Sequence, residues 1–584
     1  MEKELRLSKQ SYSLFLRAMI GFPIVGFLVA TYIVTKSYGA HTNVLWSFPY
    51  AALYYWDQPS KIIIYCYIIM LASFFFPLFF ITPGNKTSDK YGKAKYATKE
   101  HIKKMNLHSK TGIILGKEKN TENSNLFRYD KPLSMLVLAP PGTGKTSCIG
   151  IPNVLGLDEH SLVIHDPKGE LANNTIQYRK KISKVSLFNF AEEGAAVFNP
   201  LCKTMLPEKD SHLQSYIDNI ATIIFDKNVK KSDSYWDDEA ANLFRFIALF
   251  LIWQNGETSL PEIFSATKKM TSLKDVIREK TDILSEGPTR KSPPTGELFS
   301  EEEYEEPPPV PDPLKEKVFE LGNSLLQIVS SDNQTAGVAG AFNSKMSIFS
   351  DDVIANNTTG KNQLPLRIMR KELHTIYIVV EEKDRDRLRP IVTLLLEALT
   401  KDLISELPKP GDHRITFILD EFVRLRGIDT LKTLPEISRG YNLSAIFIAQ
   451  DYKQVENVFG AEMTDMLETL CAYKVIFKQN NAKTAQRASE LIGKYTDTRI
   501  STSSSDDPAS NRKSKSESEE GLHLITAQDI LNLEMGKIII LAEGFAKHPI
   551  LAYSALDEKT QPFKDILKNN QVDDYKNYLG EDNA

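Results

Sequence analysis

The segment LSMLVLAPPGTGKT, residues 133–146, gives the strongest indication of the fold. Its apolar run, Leu133 to Leu138, is typical of a buried strand. The segment APPGTGKT follows directly, and the residues after Thr146 favour a helix. A strand that leads through a glycine-rich loop into a helix is the context of a phosphate-binding loop. The loop matches that pattern, with Ala139 in place of the first glycine.

The residues of this loop suit the binding of a nucleotide. Gly142 and Gly144 let the backbone turn so that its N–H groups point at phosphates. Lys145 offers a charge to the outer phosphates, and Thr146 offers a hydroxyl to Mg²⁺. The positive end of the following helix faces the same group. The predicted nucleotide-binding residues are Pro141, Gly142, Thr143, Gly144, Lys145, Thr146 and Ser147.

A second motif, RITFILDEF, ends an apolar run with two carboxylates. A buried strand over Ile415 to Leu419 would deliver Asp420 to its end, where Asp420 can hold the water shell of Mg²⁺. The adjacent Glu421 is placed to polarise a water for attack on the γ-phosphate. An apolar run that ends in two carboxylates is a weak indication of a hydrolytic site by itself. Together with the loop at 139–146 the indication becomes strong.

Two further polar residues lie near the next apolar run, LSAIFIAQ. Gln450, at its end, can sense the γ-phosphate or orient water; the alternative is an ordinary strand end. Arg439, in SRGYN, can act as an arginine finger on a neighbouring subunit, which would raise the rate roughly 10³- to 10⁵-fold. The alternative for Arg439 is a surface residue.

Apolar runs of strand length alternate with helical patterns along the chain. Helical spacing fills residues 204–282 and 313–349 and recurs from Leu388 to Ile404. Strands that alternate with helices indicate an α/β fold with a mainly parallel sheet. Besides 133–138, strands are predicted at 112–116, 161–166, 374–380, 414–420, 443–450, 472–478 and 537–544.

Two apolar stretches precede these elements. Arg17 and Lys36 bracket 18 uncharged residues, and Lys61 and Lys86 bracket 24. A helix needs about 20 mostly apolar residues to cross a bilayer. We therefore predict transmembrane helices at about 14–35 and 62–83. Lysine and arginine precede the first span and follow the second, so the positive-inside rule places both chain ends in the cytoplasm. A signal peptide is the alternative for the first stretch.

Composition excludes several classes of protein. The 584 residues carry 71 Lys and Arg against 75 Asp and Glu, so no basic excess indicates nucleic acid. The four cysteines lack the spacing of a zinc module or a disulfide scaffold.

Two segments are predicted to be flexible: residues 286–313, with eight prolines and eight acidic residues, and 501–520, with eight serines. The end from Asp573 is predicted to fray.

Several motifs in order resemble the type IV secretion coupling proteins, the TraG/TraD family of conjugative ATPases. The resemblance covers nearly the whole chain, since two predicted spans also precede the motor in that family. The segments that resemble the family are YGKAKYAT (91–98), APPGTGKTSCIGIPNVL (139–155), IHDPKGE (164–170), FNPL (198–201), SYWDDEAANLF (234–244), TIYIVVEEKDRDRLRPIVTLLLEAL (375–399), LDEFVRLRGI (419–428) and SRGYNLSAIFIAQD (438–451).

The resemblance implies a RecA/FtsK-like P-loop motor domain with an inserted all-α domain, behind two N-terminal transmembrane helices. It implies a homo-hexamer that binds ATP and Mg²⁺ between subunits. Lys145 and Thr146 then bind nucleotide and metal, Asp420 and Glu421 run hydrolysis, Gln450 is the sensor and Arg439 the trans-acting finger. The implied segments are an anchor (1–85), a nucleotide-binding domain in two parts (86–203 and 351–565), an inserted all-α domain (204–350) and a short tail (566–584).

The same resemblance implies the partners and the location. The partners are inner-membrane components of a type IV secretion system, a relaxase with its DNA or secreted effector proteins, and membrane lipid. The location is the bacterial inner membrane. An FtsK/HerA-type membrane DNA translocase is the alternative, and it predicts a larger anchor and a DNA-orienting C-terminal module. Within IHDPKGE, Asp166 can support the active site; the alternative there is a structural turn.

Overall fold

The computed structural model describes residues 23–33, 36, 61, 64, 65, 68, 71–73 and 90–580, apart from 226–233, 269–271, 287–311, 367, 426–428 and 505–512. The chain divides into two compact units, Met1–Tyr91 with Thr496–Glu520, and Gly92–Tyr495 with Gly521–Ala584. Most of the predicted spans at 14–35 and 62–83 lies outside the described residues. Among the residues described, no helix combines the length with the apolar character that crossing a bilayer requires.

The described part of the chain forms two sheets. Strands β10 and β11 pair with each other, and the remaining strands form one sheet of eleven. The strands are Ile113–Lys117 (β1), Leu126–Tyr129 (β2), Met135–Leu138 (β3), His160–Asp166 (β4), Lys184–Phe188 (β5), His374–Val379 (β6), Arg414–Leu419 (β7), Leu443–Ala449 (β8), Tyr473–Ile476 (β9), Lys494–Ser504 (β10), Lys513–His523 (β11), Lys537–Ala542 (β12) and Ile550–Tyr553 (β13).

The large sheet has the order β2-β1-β13-β12-β9-β3-β8-β7-β4-β6-β5. The seven strands from β9 to β5 run parallel to one another. The other four extend the sheet in antiparallel pairs. The predicted α/β fold with a mainly parallel sheet is therefore confirmed. Because parallel strands end at one edge, the segments after β3, β8, β7 and β4 lie side by side.

Both faces of the sheet are buried, as the near-continuous apolar runs require. Alternate side chains of β3 show this directly, because a strand points successive residues to opposite faces. Leu136 and Leu138 belong to one apolar core, while Met135 and Val137 belong to the other. The strand before the glycine-rich loop is thus held firmly on both sides.

Helices cover the sheet and fill the long connection between β5 and β6. In the described part of that connection there are helices and no strand. There Phe225 packs against Phe244 and Phe342, with ring centroids 6.0 and 6.1 Å apart. The helices are Lys99–Met105 (α1), Ile151–Gly156 (α2), Glu170–Ile182 (α3), Asp210–Ile224 (α4), Ser234–Asn255 (α5), Leu260–Lys268 (α6), Leu273–Glu286 (α7), Pro313–Ile328 (α8), Asp332–Met346 (α9), Asp352–Asn357 (α10), Arg385–Ser405 (α11), Asp429–Tyr441 (α12), Tyr452–Phe459 (α13), Ala461–Leu470 (α14), Ala482–Ile492 (α15), Ala527–Leu531 (α16) and Phe563–Asn570 (α17).

The serine-rich segment 501–520 differs from its prediction as a flexible segment. Its described residues belong to β10 and β11, which pair in a two-stranded sheet. The run before it contains the β-branched residues Thr496, Thr498 and Ile500, which favour a strand. Pairing of β10 with β11 thus gives strand structure to a segment that its polar composition predicted to be flexible. Of the acidic segment 286–313, residues 287–311 lie outside the described residues.

The segment after Asp573 also differs from its prediction, because it packs instead of fraying. Tyr575 is buried, and its hydroxyl accepts a hydrogen bond of 2.9 Å from Asn189. Lys576 forms ion pairs of 2.6 Å with Glu192 and 2.8 Å with Glu381. These partners are distant in sequence, so a local reading of polar residues could not find them.

A buried arginine on α3 joins the helix to the sheet. Arg179 is fully buried. Its Nε donates to Thr375 Oγ1 at 2.8 Å, and its other nitrogens donate to the carbonyl oxygens of Leu157 and His160 at 3.0 and 2.9 Å. Burial lowers the pKa of Arg179. The guanidinium thus satisfies several buried acceptors at once, which offsets the cost of its burial.

We predict that Arg179→Met lowers the free energy of unfolding by about 3 kcal/mol, since it leaves buried acceptors without donors. Thermal unfolding of the purified full-length chain measures this loss. Arg278→Met changes an exposed arginine of α7 and serves as the matched control. Equal melting temperatures for the two variants would show that the Arg179 bonds contribute nothing net.

Candidate nucleotide-binding site

The glycine-rich loop leaves β3 at the carboxyl edge of the sheet. Ala139 is buried within the sheet, where its N–H donates to the Ala449 carbonyl at 2.9 Å, so a methyl group is tolerated there. Gly142 and Gly144 have φ angles of 78° and 76°, a region that favours glycine. The hydroxyl of Thr143 donates to the Pro140 carbonyl at 2.7 Å and closes the turn.

A single π-helical turn follows the loop, over Thr146–Gly150, and leads into α2. The Ile151 N–H donates to the Thr146 carbonyl, five residues back. Pro152, near the start of α2, has no N–H to continue a regular α-helical pattern. Wide turns of this kind often occur at functional sites. Here the turn places Lys145 and Thr146 at the helix start, facing the end of β7.

The two predicted carboxylates contact these two loop residues. Lys145 Nζ lies 2.7 Å from Glu421 Oε1 and 3.6 Å from Asp420 Oδ1. The hydroxyl of Thr146 donates to Asp420 Oδ2 at 3.2 Å. All four residues are buried, at 9% exposure or less. The structure therefore brings the two motifs, 274 residues apart in sequence, into direct contact.

Glu421 has an unusual backbone conformation, with φ 50° and ψ 50°. Left-handed backbone is uncommon for a residue other than glycine and is found repeatedly at functional sites. Burial would raise the pKa of Glu421, but the hydrogen bond and charge of Lys145, together with Arg424, outweigh it and lower the pKa. Glu421 is thus held ionised against the loop lysine.

Asp420 fits the role of a metal-site residue. Its Oδ1 is buried and accepts no hydrogen bond from the described residues. Burial raises the pKa of Asp420, and the Lys145 charge opposes this. A carboxylate and a hydroxyl are hard oxygen ligands of the kind that Mg²⁺ prefers. Asp420 and Thr146 therefore suit a hydrated magnesium ion beside the loop.

Gln450 and Arg439 lie at opposite ends of strand β8. Gln450 follows β8, next to the start of the loop, and its N–H donates to Gln454 Oε1 at 3.1 Å. Arg439 precedes β8 in the last turn of α12, where it forms an exposed ion pair of 2.7 Å with Glu543. The structure thus brings Gln450 to the site, while Arg439 lies away from the loop of its own chain.

Two neighbouring residues that we did not assign from the sequence support the site. His165 Nδ1 lies 2.8 Å from the Asp420 carbonyl oxygen, and burial lowers the pKa of His165 to about 4, so the neutral ring donates there. Arg424 contacts Glu421 Oε2. Both residues fall inside segments that resemble the family, but neither spacing nor residue type indicated their contacts.

Asp166 forms the structural turn that was one of the two alternatives for IHDPKGE. Its Oδ2 accepts from the Ala172 N–H at 2.8 Å and its Oδ1 from the Lys168 N–H at 3.3 Å, so it holds the turn into α3. Gly169 in that turn has φ 71°. Burial raises the pKa of Asp166 to about 7, and the charge of Asp420 adds to this. Asp166 is therefore a turn residue, and its support of the active site stays a prediction.

This pKa has a consequence for stability. Because the folded pKa of Asp166 lies above its ordinary value of 3.8, the folded chain binds the proton more tightly than the unfolded chain. The stabilisation is present below the ordinary pKa and is lost as pH rises through about 7. The slope is at most about 1.4 kcal/mol per pH unit.

We predict that Asp166→Asn, which stays neutral, flattens the fall in stability between about pH 4 and pH 7. Chemical denaturation of wild type and variant across this range measures the slope. Asp282→Asn, at an exposed position of α7, is the matched control. Parallel curves for wild type and Asp166→Asn would contradict the prediction.

Comparison with known proteins places this chain in a family. The family model described as "Type IV secretory system Conjugative DNA transfer" matches residues 86–573. The conjugal transfer protein TraG of Escherichia coli is 23% identical over 452 residues, which cover 71% of this chain and 66% of TraG. Protein VirD4 of Agrobacterium fabrum is 22% identical over 546 residues, 90% of this chain and 75% of VirD4. The chain thus spans slightly less than two thirds of the length of TraG.

Solved structures of the bacterial conjugative coupling protein TrwB share the fold. The trigonal form of TrwBdeltaN70 in complex with sulphate superposes with a TM-score of 0.56 at 14% identity, covering 82% of this chain and 97% of the solved TrwB chain. TrwB in complex with ADP and Mg²⁺ gives a TM-score of 0.52, also at 14% identity, covering 82% of this chain and 98% of TrwB. With a family match over residues 86–573, the chain belongs to the type IV secretory system conjugative DNA transfer family, the family that its motifs resemble.

Proposed function

We propose that the chain is a membrane-anchored, hexameric ATPase that recruits relaxase–DNA complexes or secreted proteins to a type IV secretion channel and uses ATP hydrolysis to drive or gate their transfer. One observation carries the enzymatic part of the proposal. Lys145 and Thr146 of the loop contact Glu421 and Asp420 at the end of β7, all in a buried setting. The family of the chain supports the transfer part.

The residues suggest how the ATPase works. The backbone of the loop, with Lys145, holds the phosphates of the nucleotide. Thr146 and Asp420 would hold the accompanying Mg²⁺, Asp420 through water, and the ion would supply positive charge to the phosphates. TrwB has been solved with ADP and Mg²⁺, which supports a nucleotide with Mg²⁺ as the ligand of this site. When phosphates draw Lys145 away, Glu421 Oε1 loses its partner and becomes able to accept a proton from the attacking water. Gln450, beside the loop, senses the γ-phosphate.

The membrane and assembly parts rest on the sequence and on the family. The apolar stretches near 14–35 and 62–83, with basic residues on their outer flanks, support an anchor in the bacterial inner membrane with both ends in the cytoplasm. Inner-membrane components of the secretion system and membrane lipid are then the lateral partners. Arg439 contributes to the neighbour's site in the hexamer, which agrees with its position away from the loop of its own chain.

We expect the full-length chain in detergent to hydrolyse ATP. We also expect DNA to stimulate this turnover. Glu421→Gln should keep the binding of a non-hydrolysable ATP analogue and lose at least about 100-fold in turnover, because the water loses its base. Lys145→Ala should lose nucleotide binding as well. Steady-state turnover with and without single-stranded DNA, at fixed moderate salt, measures these effects.

Glu534→Gln, an exposed glutamate paired with Lys537, is the matched control and should behave like wild type. Wild-type turnover in Glu421→Gln would remove Glu421 as the base. Turnover that DNA leaves unchanged would favour secreted proteins as the cargo. Absence of turnover in the wild-type chain under all conditions would contradict the ATPase itself.

We also predict that Arg439 acts across the subunit interface. Arg439→Ala alone should lower turnover by about 10³-fold or more. Mixing it with Lys145→Ala subunits, which bind no nucleotide but still carry Arg439, should restore part of the turnover. The control mixes Arg439→Ala with the double variant Lys145→Ala/Arg439→Ala, which should restore none. Equal recovery in both mixtures would contradict a trans-acting role.

A further inference from the structure

Arg424 lies directly behind the proposed base. It ends the 3₁₀ turn Phe422–Arg424 that follows Glu421. The Arg424 N–H donates to the Glu421 carbonyl at 2.9 Å, so the backbone itself folds back over the glutamate. Its side chain is four-fifths buried, and Nε contacts Glu421 Oε2 while another nitrogen contacts Glu382 Oε2.

The two oxygens of Glu421 therefore have different partners. Oε1 accepts from Lys145 Nζ at 2.7 Å, and Oε2 accepts from Arg424 Nε. A phosphate group that attracts Lys145 releases only Oε1. Arg424 belongs to the turn after β7 and keeps its hold on Oε2. One carboxylate oxygen thus stays fixed while the other becomes available.

Glu382 fixes the opposite side of the same guanidinium. It begins the 3₁₀ turn Glu382–Asp384 after β6, and its side chain is 64% exposed. Its other oxygen accepts from Arg385 at 2.8 Å. A planar guanidinium can bridge two carboxylates in a fixed direction, which a single ammonium group cannot do. The turns after β6 and β7 are therefore joined through Arg424.

We propose that Arg424 is a positioning residue for ATP hydrolysis, holding Glu421 Oε2 so that Oε1 faces the attacking water, with Glu382 orienting the guanidinium. This inference rests on the proposed ATPase function. Misplacement of a reacting group by about 1 Å can cost about 100-fold in rate, so a fixed carboxylate matters more than its charge alone. Arg424 itself touches neither substrate nor water in this scheme.

The test compares kcat with nucleotide affinity in the full-length chain in detergent. Arg424→Gln should lower kcat about 10- to 100-fold while leaving the Kd for the ATP analogue ADPNP within about twofold. Glu382→Gln should lower kcat by a smaller factor in the same direction. The double variant should be no slower than Arg424→Gln alone, because Glu382 acts only through Arg424.

Arg385→Gln is the matched control. It removes an arginine that pairs with the same Glu382 but has no contact with Glu421, and it should change kcat by no more than about twofold. If Arg424→Gln fails to fold, Arg424→Lys carries the test, since it keeps a charge but not the bridge. It should also lower kcat about 10-fold or more at unchanged Kd.

Several results would overturn the inference. Turnover in the Arg424 variants equal to that of Arg385→Gln would remove the positioning role. A variant that loses ADPNP affinity and melting temperature together with kcat would indicate a structural role instead. A Glu421→Gln variant with wild-type turnover would contradict the proposed function itself, and this outcome is distinguished from the others because it does not depend on Arg424.

Discussion

Parallel pairing of β3, β8 and β7 brings the ends of three strands together, and the candidate site depends on this order. The loop leaves β3, Gln450 follows β8, and Asp420 and Glu421 follow β7. Each strand is buried on both faces, so the three ends cannot shift independently. The buried apolar strands thus fix the positions of the polar site residues that follow them.

In the proposed ATPase, the charge balance at this buried site links nucleotide binding to the release of the base. A buried carboxylate or ammonium group is costly unless it is paired. Here Lys145 compensates Glu421 and, at longer range, Asp420. Phosphates that take over Lys145 leave Glu421 with Arg424, so the site retains a counter-charge in both arrangements. In that proposal, substrate binding and exposure of the base are one event.

The packed end of the chain reaches the same edge of the sheet. Lys576 pairs with Glu381, the residue before Glu382, and Tyr575 fits against Gly169 in the turn that Asp166 holds. A Cβ at Gly169 would lie 2.6 Å from the Tyr575 ring, so glycine is required for this approach. These contacts join the turns after β4 and β6 to a segment that we expected to fray.

Local patterns in the sequence were sufficient for eight of the thirteen strands, the loop and the two strand-end carboxylates; β2, β5 and β13 were not among the predicted strands. Lys145, Thr146, Asp420 and Glu421 follow buried apolar runs, and the position of a residue after a strand is a local property. The alternation of strands and helices likewise predicted a parallel sheet, because such connections need a helix between strands. The hairpin at β10 and β11 was missed because polar composition outweighed strand propensity in our interpretation.

Tertiary structure sets which distant groups meet. The amino-acid sequence was enough to predict the chemistry of the loop and of the β7 end, since each residue there acts within a few positions of its strand. It could not indicate that Arg424 bridges Glu421 and Glu382, or that His165 contacts the Asp420 carbonyl. Nor could it indicate that Arg439 pairs with Glu543 at the end of β8 opposite to the loop. Those contacts depend on strand order and on turn geometry, which bring together residues with no periodic relation along the chain.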